Sequence, residues 1–206
     1  MGAEMPAENT DERRLAYRRT LRRESIKRRL ALSPENCAQL SARLCRHLDA
    51  AFPELASMRV VFCWPVQNEP DVRPLLAQWR AAAAPGFCAL LPVVVEENAP
   101  LAFRAWSPET PMTTDRYGIP TPAAGAFVQP DALLLPLNAF DAACYRIGYG
   151  GGYFDRTLAT LKPRPLSIGV GFELARVGSI RPEAHDFPLD AMVTEAGVFR
   201  PKRLRV

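Results

Sequence analysis

The sequence predicts an α/β fold with a mainly parallel sheet flanked by helices. Three observations predict it. Short apolar runs rich in β-branched and aromatic residues, such as Met58–Trp64 and Ala132–Leu135, lack the polar alternation of a half-exposed strand and suit a sheet covered on both faces. Segments with helix-start chemistry stand between these runs. The 20 prolines among 206 residues, roughly twice the average share, cut the chain into short elements.

Residues 1–11 are small and polar and read as a flexible tail before one domain over 12–206. Asp11 to Leu30 reads as a helix. Leu15, Ile26 and Leu30 fall within about 60° of one another on its wheel, a thin apolar stripe with Arg22 and Arg29 at its margin. Packing that stripe would deliver both guanidinium groups to the body of the protein. Ser33-Pro34-Glu35 supplies a cap, a proline at the first helical position and an acid at the positive dipole end, starting a helix that runs to Ala50.

Met58 to Trp64 then reads as a buried strand ended by Pro65, and Asp71 can cap a helix reaching Ala84. Phe87–Val95 and Leu101–Trp106 read as two strands of a hairpin turning at Glu96-Glu97-Asn98. Ala132–Leu135, Leu166–Phe172 and Ala191–Thr194 follow as strands, with a helix over Tyr153–Leu161. No internal repeat and no long linker divides the chain.

The chain carries a net charge of +4, unevenly spread. Between Glu12 and Arg29 nine basic residues face two acids, a local +7, so the rest carries −3. One N-terminal helix therefore holds the basic character, which suits nucleic acid, nucleotides or acidic metabolites. Cys37, Cys45, Cys63, Cys88 and Cys144 form no C-x-x-C pair, which argues against a disulfide framework or zinc site and for a reduced compartment. No apolar run reaches the roughly 18 residues of a membrane span, and the first residues lack signal-peptide order. Glu4, Glu8, Asp11 and Glu12 disfavour a mitochondrial transit peptide, so a cytoplasmic protein is expected.

The most informative stretch is Arg146-Ile-Gly-Tyr-Gly-Gly-Gly-Tyr-Phe-Asp-Arg156, with four glycines in five positions before a helix. Glycines let backbone N–H groups approach an anion, and the helix N-terminus adds a positive dipole end. Without a following Lys-Ser/Thr it is not a Walker A loop, and Tyr153 breaks G-x-G-x-x-G. A glycine turn serving packing alone is the alternative, but flanking Arg146 and Arg156 and the acid Asp155 favour a phosphate cradle. Asp155 could hold Mg²⁺ or simply favour its helix dipole, and Asp186 supplies a second carboxylate. Glu69 follows the strand ending at Trp64, where open α/β sheets place ligand groups; it could bind a donor-rich ring or merely favour the next helix start. Trp64, Trp106, Tyr117 and Phe140 could wall a flat ligand or be core.

Leu135-Pro-Leu-Asn-Ala-Phe-Asp141 followed by Arg146 to Arg156 resembles the signature of the 5-formyltetrahydrofolate cyclo-ligase family, also called methenyltetrahydrofolate synthetases. Arg18-Arg-Thr-Leu-Arg22 stands where that family has a basic K-x-x-x-R element, and Asn68-Glu69, Tyr117-Gly-Ile-Pro120, His185-Asp186 and Val193-Thr-Glu195 extend the likeness over residues 15 to 195. The resemblance implies a fold similar to the sugar-phosphate isomerase and CoA-transferase superfamily. It implies ATP- and Mg²⁺-dependent cyclisation of 5-formyltetrahydrofolate to 5,10-methenyltetrahydrofolate, through phosphorylation of the formyl oxygen, with release of ADP and phosphate.

By the same resemblance Arg18, Arg19, Thr20, Leu21 and Arg22, with Arg146, Ile147, Gly148, Tyr149, Gly150, Gly151, Gly152, Tyr153 and Phe154, hold ATP. Trp64, Glu69, Tyr117 and Tyr149 to Tyr153 meet the folate, with Glu69 on the pterin. Asp155 and Asp186 hold Mg²⁺, and Arg146 and Tyr153 are the catalytic pair. The substrate is expected with or without a polyglutamate tail, and the protein as a monomer with no nucleic-acid or membrane partner. Four positions depart from the family pattern: Cys144 for glycine, Ile147 for leucine, Phe154 for tyrosine and Thr121 for glutamate or glutamine. Competing readings are an RNA-binding module using the Arg-rich helix and a same-fold sugar-phosphate isomerase-like enzyme; the first leaves Glu69, Asp155 and Asp186 without a job.

Overall fold

A computed structural model describes residues 8–82 and 85–201. In chain order the helices are α1 (Glu8–Leu30), α2 (Pro34–Ala51), α3 (Arg73–Ala81) and α4 (Tyr153–Thr160). The strands are β1 (Arg59–Val61), β2 (Cys88–Val93), β3 (Ala102–Ala105), β4 (Met112–Thr114), β5 (Pro120–Pro122), β6 (Ala132–Pro136), β7 (Ala139–Phe140), β8 (Arg146–Ile147), β9 (Leu166–Val170), β10 (Ala191–Thr194) and β11 (Gly197–Phe199).

The central sheet has seven strands in the order β11-β10-β9-β6-β1-β2-β3. Strands β10, β9, β6, β1 and β2 pair in parallel, and antiparallel β3 and β11 close the two edges. The predicted α/β architecture and the β2–β3 hairpin are both present. Alternate residues of each strand enter opposite cores: Val60, Leu134, Ile168 and Val193 meet α2 and α3, whereas Val61, Leu133, Leu135 and Met192 join Leu158 of α4. Burial on both faces explains why these strands read as unbroken apolar runs.

Local signals place most element ends. Ser33 Oγ accepts the Asn36 amide at 3.1 Å, so α2 starts at the predicted cap. Asp71 accepts the Arg73 amide at 3.0 Å, and α3 ends at Ala81; the expected end at Ala84 lies outside the described residues. Strand β1 stops at Val61, leaving Trp64 in the segment beyond it. Helix α1 begins at Glu8, earlier than Asp11, and the rest of the expected tail, residues 1–7, lies outside the described residues.

The expected inward face of α1 is corrected by the structure. Leu15 and Leu30 are 46% and 52% exposed, and the helix instead turns Arg18, Leu21, Arg22, Ser25 and Arg29 toward the body. The apolar stripe was too thin to compete with polar acceptors waiting at the carboxyl ends of the parallel strands, which three arginines of the same helix satisfy. The expectation that Arg22 and Arg29 reach the body holds, by a different packing.

Two substitutions check this assignment. Leu134→Ala, in a fully buried β6 position, should lower unfolding free energy by about 2–5 kcal/mol in denaturant titrations. Leu30→Ala should change it by no more than about 0.5 kcal/mol; a loss as large as that at Leu134 would restore the apolar stripe as the docking face.

Candidate functional site

The site lies past the carboxyl ends of β1, β6 and β9, where an open parallel sheet leaves a crevice. The loop after β1 contributes Glu69, the end of β6 leads to Leu137 and Asn138, the β6–β9 crossover carries Arg146 to Asp155, and the β9–β10 connection carries Asp186. Helix α1 crosses these segments and contacts each of them.

Arg146 and Ile147 form β8, which pairs with β7 and fixes the entry to the glycine loop. Asp141 organises the turn before it, accepting the Ala143 amide at 3.0 Å, the Tyr145 amide at 3.3 Å and the Ile180 amide at 3.1 Å. Cys144 lies in that turn with φ of 62°, a left-handed conformation that a glycine would adopt at lower cost, so the first departure from the family pattern keeps the turn. Gly150 and Gly152 also have positive φ, 100° and 64°, and a Cβ on Gly152 would stand 2.9 Å from Arg156 Nη1. Gly152 caps α4, whose first turn carries Asp155.

Arg22 Nε donates to Gly148 O at 2.7 Å, and its guanidinium would lie 3.2 Å from a Cβ on Gly150. No carboxylate among the described residues lies within ion-pair distance of it. Burial, followed by repulsion from Arg18 and Arg19, lowers the pKa of Arg22 below its usual value. An anion at this loop would favour the charged guanidinium and so oppose both effects. Arg18 donates to both oxygens of Asp186, at 2.5 and 3.0 Å. Burial works against ionising Asp186, but Arg18 and the Glu183 amide outweigh it and hold its pKa below the usual range. Arg19 and Thr20 are exposed, whereas Leu21 and Ile147 pack in one small apolar cluster with Ala139 and Ile180, so their side chains serve packing. Phe154 packs against the core on the α4 side of the sheet.

Glu69 is 5% exposed. Its Oε1 accepts the Tyr149 hydroxyl at 2.7 Å and its Oε2 accepts the Val66 amide at 3.1 Å. Burial raises its pKa; Arg29, Tyr149 and the Val66 amide oppose that without cancelling it. Arg29, 3% exposed, donates to Gln67 O at 2.8 Å, Leu137 O at 3.3 Å, Asn138 Oδ1 at 3.0 Å and the Tyr149 hydroxyl at 2.9 Å, with Glu69 Oε1 at 3.8 Å. Arg29 and Asn138 are the residues that sequence reasoning left without a role. Their signals were present: Arg29 stands seven residues after Arg22 on one helix face, and Asn138 sits inside the Leu135–Asp141 motif.

The remaining expected residues fall into separate contacts. Tyr117, at the tip of the β4–β5 hairpin, hydrogen-bonds the Tyr153 hydroxyl at 2.9 Å, so the hairpin reaches the start of α4. Thr121 Oγ1 donates to Pro92 O at 2.9 Å, tying that hairpin to β2. Trp64 stacks beneath Arg73, 4.5 Å from its ring centre, and edges onto Trp106; the contacts that join Glu69 to the glycine loop do not include it.

As for a metal, Asp155 accepts from Arg146 at 3.2 Å and Asp186 from Arg18, so each carboxylate already has a cation. Among the described residues no three His, Cys, Asp or Glu side chains cluster as a ligand set. Mg²⁺ commonly takes one or two carboxylates and completes its shell with water and substrate phosphate oxygens. The residues therefore fit an ion that arrives with a nucleotide, not a resident one.

The fold and this crevice can be compared with known proteins. An Escherichia coli strain K12 protein named 5-formyltetrahydrofolate cyclo-ligase is 30% identical over 182 residues, covering 84% of this chain and 97% of that protein. The solution structure of Aquifex aeolicus 5,10-methenyltetrahydrofolate synthetase matches 92% of this chain and 95% of its own with a TM-score of 0.77 at 29% identity. The Mycoplasma pneumoniae enzyme of the same name shares the fold, with a TM-score of 0.66 at 21% identity, over 86% of this chain and 98% of its own. The model of the 5-formyltetrahydrofolate cyclo-ligase family matches residues 14–195, a span running from the α1 arginines to the strand after Asp186, and the chain belongs to that family.

Proposed function

We propose that this protein is the ATP- and Mg²⁺-dependent enzyme that cyclises 5-formyltetrahydrofolate to 5,10-methenyltetrahydrofolate. The observation that carries the reading is Arg22, a partly buried guanidinium with no carboxylate partner among the described residues, laid against the glycine loop at Gly148 and Gly150. Phosphoryl transfer asks a protein chiefly for positioning and charge neutralisation, and this arrangement offers both without a nucleophile.

In this reading the formyl oxygen attacks the γ-phosphorus and the bond to the ADP oxygen breaks. N10 then attacks the activated formyl carbon and loses its proton, and the C–O bond breaks to release phosphate. Arg18, Arg22 and the loop from Gly148 to Gly152 take the triphosphate, and Arg146, held by Asp155, lies at the start of that loop. Asp155 and Asp186 would hold Mg²⁺ alongside phosphate oxygens, and the ion would supply neutralisation of charge on the transferred group. Glu69 accepts the N–H donors of the pterin, while Tyr117 and Tyr153 border the folate. Five free cysteines accord with a reduced, cytoplasmic setting, and among the described residues no helix is long and apolar enough to cross a membrane. Arg18, Arg22 and Arg29 of α1 contact the site itself, which supports a role for the basic helix in holding a small anionic ligand.

Incubating the protein with 5-formyltetrahydrofolate and Mg·ATP should give methenyl-product absorbance that needs nucleotide and is abolished by a chelator; folded protein with no ATP-dependent signal would overturn the assignment. Asp155→Ala should lower kcat by about two orders of magnitude while keeping the far-ultraviolet circular dichroism. Arg22→Ala should weaken nucleotide binding about tenfold or more in calorimetry, against little change in folate binding. Because burial raises the Glu69 pKa, acidification removes its charge earlier than for an ordinary carboxylate. Folate affinity should therefore fall as pH drops, starting above the usual carboxylate range, and Glu69→Gln should flatten that dependence.

A further inference from the structure

Glu69 is the proposed pterin partner, yet it is 5% exposed and both its oxygens are engaged. A ligand that bonds Glu69 Oε1 must share that oxygen with Tyr149 or replace it. The Val66 amide belongs to the same loop as Glu69, and Arg29 is held by three further acceptors in the interior. Tyr149 is different. The residue is 44% exposed, yet its hydroxyl reaches the buried Glu69 Oε1 at 2.7 Å. It sits between Gly148 and Gly150, where no Cβ restricts the backbone and Gly150 has φ of 100°.

We propose that Tyr149 is an internal stand-in for the pterin: in the free protein its hydroxyl occupies Glu69 Oε1 and pins the glycine loop there, and an entering pterin's N–H donors displace it and release the loop. The exchange replaces one donor by others on Glu69 Oε1, frees the Arg29 Nη2 donor that the Tyr149 hydroxyl accepts at 2.9 Å, and transfers no proton. Arg29 Nη2, 3.8 Å from Glu69 Oε1, stays behind to support the charge when the phenol departs. The phenol keeps its proton throughout, since burial and then the Glu69 charge push its pKa above the usual tyrosine value, so it remains a donor that competes with other donors. Because the same residue belongs to the loop assigned to ATP, occupation of the pterin carboxylate and freedom of the nucleotide loop are linked. The inference rests on the reading of Glu69 as the pterin's partner.

The test uses the full chain without nucleotide and 5-formyltetrahydrofolate as the probe, with Tyr149→Phe and Glu69→Gln compared with wild type. Tyr149→Phe keeps the ring and removes the competing donor. It should bind the folate about tenfold tighter, and loop amides 148–152 should exchange hydrogen several-fold faster in the free protein. Unchanged or weaker folate binding by Tyr149→Phe, or unchanged loop exchange, overturns the stand-in. Glu69→Gln should bind the folate about tenfold or more weakly. If it binds as well as wild type, the pterin assignment of Glu69 falls; faster loop exchange in Tyr149→Phe would then still report the pin, which keeps the two failures apart.

Discussion

A guanidinium buried at the end of α1 decides how the site is assembled. Burying a charge costs several kcal/mol unless its donors are filled, and Arg29 fills them with groups from separate parts of the chain: Gln67 O after β1, Leu137 O and Asn138 Oδ1 after β6, and the Tyr149 hydroxyl in the glycine loop. The loop it grips is itself strained. Gln67 and Asn68 have φ of 51° and 58°, a left-handed pair that costs non-glycine residues of order 1–3 kcal/mol each. Arg29 holds the first through its carbonyl, and the Asn68 amide returns the grip by donating to Arg29 O and Leu32 O. Strand ends, helix end and glycine loop are thus fixed by one reciprocal set of hydrogen bonds, and Glu69 is aimed by it.

This explains an otherwise odd helix. An amphipathic helix ordinarily docks by its apolar stripe, whereas α1 docks through Arg18 on Asp186, Arg22 on Gly148 O and Tyr17 on Ser179 O, with Leu21 as its main apolar anchor. Polar docking is directional where apolar docking is not, so the helix is held in one rotation and its arginines in one register along the crevice. A hydrophobic stripe would have bound the helix more simply and placed the guanidinium groups less exactly.

The legible and illegible parts of the sequence divide along the same physical line. The parallel strands were readable because residues such as Leu133 and Leu134 are buried in opposite cores, which leaves no polar alternation in the run. The glycine loop was readable because few other arrangements need four glycines in five positions. The β4–β5 hairpin was missed because each strand has only three residues, and Pro120 and Pro122 argue for a loop. The inward face of α1 was misread because hydropathy treats arginine as a solvent residue, and nothing in a helical wheel reveals acceptors contributed by residues 67, 137 and 138. Cys144 shows the converse: the sequence marked the position as one usually held by glycine, and only the backbone reveals that the left-handed turn persists with a thiol in place of hydrogen.

Along the crevice the charged groups are almost all spoken for from within. Asp186 has Arg18, Asp155 has Arg146, and Glu69 has Tyr149 and Arg29. A ligand that meets such pairs gains only the difference between its own contact and the one it replaces, which keeps ground-state affinity modest while leaving each group desolvated and correctly aimed. Among the described residues Arg22 and Arg156 each donate to a carbonyl of the glycine loop and have no carboxylate within ion-pair distance, and the charge of Arg22 is also repelled by its neighbours on the helix. An anion there gains an interaction without breaking a pair. Of these groups Arg22 is therefore one from which a negatively charged ligand would gain outright, whereas a ligand at Asp186, Asp155 or Glu69 must offset the contact it replaces.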